Sequence, residues 1–194
     1  MNRLIKSAIF ISLSFLTLIT SAQVYDLASS GNKGVITGTS SLHDWKMDIT
    51  KFNSGFKLIR DGNSVKTIEN VTFSCRAKDI KSESSLMDKK AYDALKTNEY
   101  PEINFTGSSV SGLTTDGNRI IGTLEGNLSL AGQSHEISVP FNGTLKGDGI
   151  TIDSSAEITF SGFGLEPPTA MLGTLKTGDR MRVTFNLQFN QKGQ

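Results

Sequence analysis

Ile120-Ile121-Gly122-Thr123-Leu124-Glu125-Gly126-Asn127-Leu128-Ser129-Leu130 is the stretch from which the fold can be read. Ile120, Gly122, Leu124, Gly126, Leu128 and Leu130 fall on every second position, with Thr123, Glu125, Asn127 and Ser129 between them. A period of two predicts a β-strand with one dry and one wet face. The same rhythm continues in His135, Ile137, Val139 and Phe141, and then in Ala156, Ile158 and Phe160. It closes the chain in Met181, Val183, Phe185, Leu187 and Phe189, set against Arg182, Thr184, Asn186 and Gln188. Upstream it is fainter, in Val35 to Thr39, Trp45-Met47-Ile49, Phe56-Leu58 and the run Val71, Phe73, Cys75, Ala77. Turn signals separate these runs: Asp61-Gly62-Asn63, Asp116-Gly117-Asn118, Ala131-Gly132-Gln133 and Gly147-Asp148-Gly149. The reading is all-β, with eight or nine antiparallel strands joined mostly by hairpins.

One segment breaks the rhythm. Ser84 to Lys96 has helical composition, and a short helix is expected at about 84–97. Ser85 and Asp88 have the spacing of a capping box. Met87, Ala91, Ala94 and Leu95 lie on one face, and Tyr100-Pro101 is the expected stop. A lone amphipathic helix in such a chain must cover an apolar opening or face.

Alternation alone allows a sandwich, a soluble barrel or an outer-membrane barrel. Aromatic girdles are not evident, and a helix with an apolar stripe needs an apolar surface to cover. A soluble barrel with an apolar interior fits best.

The N-terminus reads as an export leader. Arg3 and Lys6 precede the apolar run Ala8 to Ile19, and Thr20-Ser21-Ala22 supplies small residues for cleavage. The run is too short for the ~20 apolar residues that span a bilayer. The expected organisation is a signal peptide over 1–22 and one domain over 23–194, periplasmic or secreted, with no transmembrane segment after cleavage. No cysteine directly follows the apolar run, which excludes an acylated N-terminal Cys. The net charge is +1 with no basic block, so nucleic acid is not an expected partner. Cys75 is the only cysteine, and its place in an alternating run makes it a small core residue rather than a nucleophile.

Residues suited to catalysis are sparse. His43 and His135 are the two histidines, and neither has His or Cys neighbours at metal-ligand spacing. His43-Asp44 could pair a base with a carboxylate, but adjacent strand residues point to opposite faces. His135 shares the parity of Ile137 and reads as a strand-end histidine with a local hydrogen bond. Asn70, Asn104, Asn127 and Asn142 each begin an Asn-x-Ser/Thr triplet, read as chance matches in a chain rich in these residues.

Three groups of residues carry a family resemblance. Gly122-Thr123-Leu124-Glu125-Gly126-Asn127-Leu128-Ser129-Leu130-Ala131-Gly132 looks like a Gly-x-Leu-Thr-x-x-Gly hairpin. Ser84 to Asp88 followed by Glu99-Tyr100-Pro101-Glu102-Ile103-Asn104-Phe105 resembles a helix-to-strand signature. Ser161-Gly162-Phe163-Gly164-Leu165 and Gly178-Asp179-Arg180-Met181-Arg182-Val183 resemble a closing loop and last strand. In this order they are similar to the YceI-like family of lipocalin-like, polyisoprenoid-binding periplasmic proteins, across roughly Val35 to Phe189. The chain departs from that pattern at Gly38 to Trp45 and at Glu166 to Gly173.

The resemblance implies an eight-stranded antiparallel, lipocalin-like barrel with an isoprenoid chain inside. Eight strands enclose either a side-chain core or one slender ligand. Burial at ~25 cal/mol per Å² can hold such a ligand without a charged anchor. The expected lining residues are Met87 and Leu95 on the helix and Phe105, Leu124, Leu128 and Phe185 on strands. Phe163, Leu165, Met171 and Leu172 complete the set from the loop, either as an adaptable rim or as a core plug. No cofactor is expected; the ligand would be a polyisoprenoid or an isoprenoid quinone, and a homodimer is allowed for. Two other readings stay open: a filled-core structural or stress-protective barrel, and an enzyme acting on a lipid.

Overall fold

The alternating runs become strands, in a computed structural model that describes residues 20–62, 64–170 and 173–193. In chain order these are β1 (Thr20–Leu27), β2 (Lys33–Ser40), β3 (Trp45–Ile49), β4 (Asn53–Asp61), β5 (Ser64–Arg76) and β6 (Ile80–Lys81). The helix α1 (Ser85–Ala94) follows. Then come β7 (Glu102–Asp116), β8 (Arg119–Leu130), β9 (Gln133–Lys146), β10 (Gly149–Thr159), β11 (Thr169–Ala170) and β12 (Leu175–Gln191).

Eight of these close a ring in the order β1-β4-β5-β7-β8-β9-β10-β12, and β12 returns to β1 through Leu27↔Phe189 and Tyr25↔Gln191. The short strands continue their neighbours. β2 takes over from β1 along β12, from Lys33↔Asn186 to Thr37↔Arg182 and Gly38↔Met181, and β3 runs beside β2 above β4. β6 continues β5 and pairs with β3 through Ile49↔Ile80. The first three staves are therefore each a strand broken once. The fold is the expected eight-stranded antiparallel barrel, and the interruptions explain why its first half reads faintly in the sequence.

The inner faces form two apolar clusters. One fills an end of the barrel with Tyr25, Phe56, Leu58, Val65, Ile68, Ile120, Phe141, Ile150, Leu187 and Phe189. Tyr25, Leu58, Ile120 and Ile150 are almost wholly buried there. Tyr25 stacks on Phe56 at 5.2 Å, and Phe56 meets Phe189 edge-on at 4.9 Å. Each such side chain contributes ~1.5–3 kcal/mol of burial, so this end is a firm floor. The second cluster, around Met47, Ile49, Cys75, Ile103, Leu130 and Phe163, lies toward the helix.

Gly126 of β8 leaves no room for a side chain. A Cβ there would lie 2.5 Å from both the Phe105 ring and the Thr106 carbonyl oxygen. Its missing side chain makes room for Phe105 next to a register shift between Gly107 and Ser109, not for empty space.

The helix begins and ends differently from the expectation. Its cap is Ser84, whose hydroxyl accepts from the Met87 N–H at 3.4 Å. Asp88 closes no capping box; it accepts from the Ser82 N–H and hydroxyl, both at 2.7 Å. The helix ends at Ala94, not at Tyr100-Pro101, because Lys96 takes the left-handed conformation at φ 51°. The Thr97 N–H then reaches the Tyr92 carbonyl at 3.0 Å and the Lys96 N–H that of Asp93 at 3.1 Å, a Schellman ending. Met87, Ala91 and Leu95 face the second cluster as expected.

Candidate ligand-binding lumen

Between the floor and the helix the inward residues do not meet. Leu124 and Leu128 on β8, Ile137 and Val139 on β9, and Met181 and Val183 on β12 point inward yet stay only half-buried. Among the described residues no side chain fills the volume in front of them. The result is a cavity of about 690 Å³, within the range of small-ligand pockets.

Its wall is almost wholly apolar. The inner polar groups are few: Ser54, whose hydroxyl donates to the Thr72 carbonyl at 2.8 Å, and Ser154 on β10. Polar residues gather instead at the mouth, where Ser40, His43, Ser84, Lys90, Thr169 and Thr177 share the edge with Leu86 and Pro168. Such a site offers contact area along its length and hydrogen bonds only at its opening. It suits a molecule with an apolar body.

Of the expected lining residues, Met87, Leu95, Phe105, Leu124, Leu128, Phe163, Leu165 and Phe185 all border this one cavity. Met171 and Leu172 lie outside the described residues. Phe163 and Leu165 are buried in the second cluster, so they form firm wall rather than a soft rim. Their position comes from a 3-10 turn, Ser161–Phe163, ended by Gly164 at φ 63°. Asp179 on β12 clamps that turn: its carboxylate accepts from the Ser161 N–H at 2.8 Å and from the Ser161 hydroxyl at 2.6 Å. The Ser161 hydroxyl, and after it the Ser161 backbone N–H, hold this carboxyl below its ordinary range.

Several wall residues carried no special sequence signal. Trp45 packs its ring over Gly38 and donates its indole N–H to the Thr39 carbonyl at 3.0 Å. Ile36, Phe73, Val110, Ile152 and Met181 also border the cavity. Each shares the inward parity of its strand, which is the only sign available in sequence.

The corner beneath the helix is fixed electrostatically. Arg76 forms a two-pronged bond to Asp79 at 2.8 and 2.9 Å, and this pairing holds the Asp79 carboxyl below its usual range. The Asp79 carbonyl in turn accepts from the Thr50 N–H and hydroxyl, tying the corner to the end of β3. Cys75 borders the cavity, and burial pushes its thiol up to about 12.

The histidines form no dyad. His43 Nδ1 lies 2.8 Å from the backbone carbonyl of Asp44, not from its carboxylate. His135 meets the Phe163 ring edge-on at 5.0 Å, a packing contact where a local hydrogen bond was expected. No cluster of three or more His, Cys, Asp or Glu side chains suited to a metal ion occurs among the described residues. No helix among the described residues is long and apolar enough to cross a membrane.

Comparison with known proteins agrees with this architecture. The model of the YceI-like domain matches residues 26–189. The fold is similar to that of BcnA from Burkholderia cenocepacia, with a TM-score of 0.68 at 17% identity, over 84% of this chain and 99% of that one. It is similar to a polyisoprenoid binding domain from Saccharophagus degradans implicated in plant cell wall breakdown, with a TM-score of 0.65 at 13% identity, over 87% and 98%. A YCEI protein of Campylobacter jejuni superposes with a TM-score of 0.62 at 17% identity, over 76% and 85%. No curated protein matches the chain by sequence.

Proposed function

The chain belongs to the YceI-like family, and from that membership and the geometry of the lumen we propose that it carries or stores one slender apolar lipid of the isoprenoid class. A polyisoprenoid or the tail of an isoprenoid quinone is the proposed cargo. The observation that carries the reading is the half-buried state of Leu124, Leu128, Ile137, Val139 and Val183, all directed into the same cavity. A barrel evolved only for stability would close those residues against one another, as Tyr25, Leu58, Ile120 and Ile150 do at the floor. The S. degradans domain, described as polyisoprenoid-binding, supports the choice of cargo by likeness of fold.

The residues proposed to contact the lipid are Met87, Leu95, Phe105, Leu124, Leu128, Phe163, Leu165 and Phe185, together with Met171 and Leu172, which follow β11 in sequence. Their common work is to keep water from the tail, at ~25 cal/mol for each Å² of apolar surface removed. Binding rather than catalysis is proposed, with the protein acting in the periplasm or after secretion. The leader behind that location falls chiefly on residues 1–19, outside the described residues, while Thr20-Ser21-Ala22 opens β1 opposite β4.

The test is mass spectrometry of organic extracts from protein purified without harsh detergent, followed by loading with a prenol from mild detergent micelles. A near-stoichiometric apolar lipid, or saturable uptake of the prenol, supports carriage. A protein that yields no lipid and takes up no prenol is not a lipid carrier.

A further inference from the structure

We infer that the rim of the mouth is a docking surface for a lipid bilayer, so that cargo passes between membrane and lumen without crossing water. The inference rests on the lipid-carrying reading above. Its starting point is the placement of exposed apolar side chains. Leu42 is 69% exposed and Leu86 63%, the two largest values among the exposed large hydrophobic residues described. Both stand at the mouth: Leu86 borders the cavity, and Leu42 sits between Ser41 and the mouth residue His43. Val24 and Ile121, each 44% exposed, belong to the filled end instead.

Both leucines are presented by ordered backbone. The hydroxyl of Ser40 accepts from the N–H groups of Leu42 and His43 at 3.3 and 3.2 Å and donates to the His43 carbonyl at 2.7 Å. This closes a tight loop with a leucine at its tip. Ser41 is held to Lys176 in both directions, at 2.9 and 3.1 Å. Leu86 lies in the first turn of α1, just after its Ser84 cap. A tight solvent loop and a helix start ordinarily carry polar residues at such positions. Apolar side chains held outward around an opening suit insertion among acyl chains.

Charge complements the same surface. Lys89 and Lys90 follow Leu86 on α1, and neither takes part in an ion pair among the described residues, whereas Asp88 is engaged by Ser82 and Lys81. These two ammonium groups suit lipid phosphates beside the inserted leucine. Asp44, Glu83 and Glu166 adjoin the same edge in sequence, so the rim has little net charge. The leucines therefore supply most of the attachment, and salt should weaken it only modestly.

The experiment is flotation of the purified full chain with vesicles of equal parts phosphatidylethanolamine and phosphatidylglycerol, beside prenol loading from detergent micelles. The wild type should float with the vesicles. Leu42→Asp should lower the partition coefficient roughly tenfold or more while still loading from micelles, since Leu42 does not border the cavity. Leu42→Asn serves if the aspartate variant folds poorly. Ile121→Asp, on the barrel wall, should float as the wild type does. A protein that loads from micelles but fails to float overturns the docking surface and leaves carriage standing. So does a Leu42 variant that floats normally, or an Ile121→Asp variant that falls equally. A wild type that floats yet never loads rejects carriage instead.

Discussion

Phe73 on β5 and Phe185 on β12 meet with ring centroids 5.0 Å apart, although two staves of the ring lie between their strands. Phe52 stands beside both, at 5.6 and 5.9 Å, and the three rings form a waist that joins the two apolar clusters. Phe185→Ala should widen this waist. Its stability cost should fall toward the lower end of the ~3–5 kcal/mol typical of Phe→Ala, because the side chain is only half-buried. Chemical denaturation would measure that loss, and loading with branched or bulkier lipids should improve. Unchanged stability together with unchanged selectivity would mean that the waist constrains nothing.

The lumen sets a length limit on its cargo. At ~30 Å³ per water-sized group in a liquid, about 690 Å³ holds on the order of twenty carbons. Affinity for a series of prenols should climb to about four five-carbon units and then level off, because further units remain in water. Isothermal titration from detergent would locate the break. A steady rise well past that length would require the barrel to expand.

Cys75 should be chemically silent in the folded protein. Burial raises its thiol to about 12, chiefly by disfavouring the thiolate, so alkylation at mildly alkaline pH should await unfolding. The linkage has a definite sign. The protonated thiol is retained longer in the folded state, so its contribution is complete below the unfolded value of ~8.5 and is lost as pH rises toward the folded value. Cys75→Ala should flatten that alkaline decline in the melting temperature.

Asp179 should make the loop wall sensitive to acid. Its depressed carboxyl stabilises the folded state above the ordinary carboxylate range, ~3.9, and that contribution fades as pH falls through the lower folded value. The amide shift of Ser161, followed by NMR, should move in that acidic window. Asp179→Ala should abolish the movement and loosen Phe163 and Leu165 from the wall.

Gly126→Ala tests close approach without changing polarity. The new methyl group would press on Phe105 and the Thr106 carbonyl, so about 1–3 kcal/mol of overpacking is expected. A neutral substitution at Gly126 would show that β7 shifts freely.

The second half of the barrel was legible because its strands are long, unbroken and dry on one face only, as Ile120 to Leu130 and Met181 to Phe189 illustrate. The first half hid its rhythm. In β1, Gln23 turns inward and Val24 outward, which blurs the alternation around the buried Tyr25. The helix stripe was legible from spacing, whereas its cap and stop were not. Ser84 and Ser85 are equivalent candidates in sequence, and Lys96 is no obvious left-handed residue. Inward parity was enough to find lumen residues such as Leu124 and Leu128. It could not distinguish those facing a cavity from those packed in the floor, since that depends on which side chains oppose them across the ring.

The pairing of β1 and β2 with β12 has a kinetic meaning. Tyr25 must wait for Gln191, and Val35 for Thr184, so the contacts that close the ring join the two ends of the chain. Loop closure over such separations is slow, and no local hairpin can substitute for it. A chain emerging residue by residue would hold an open, curling sheet with two unpaired edges until its last stave arrived. During that interval the apolar inner face would be accessible to any hydrophobic partner, including neighbouring nascent chains. Release of the C-terminal strand would accordingly be the commitment step of folding, and partial truncation from that end should yield aggregation rather than a smaller barrel.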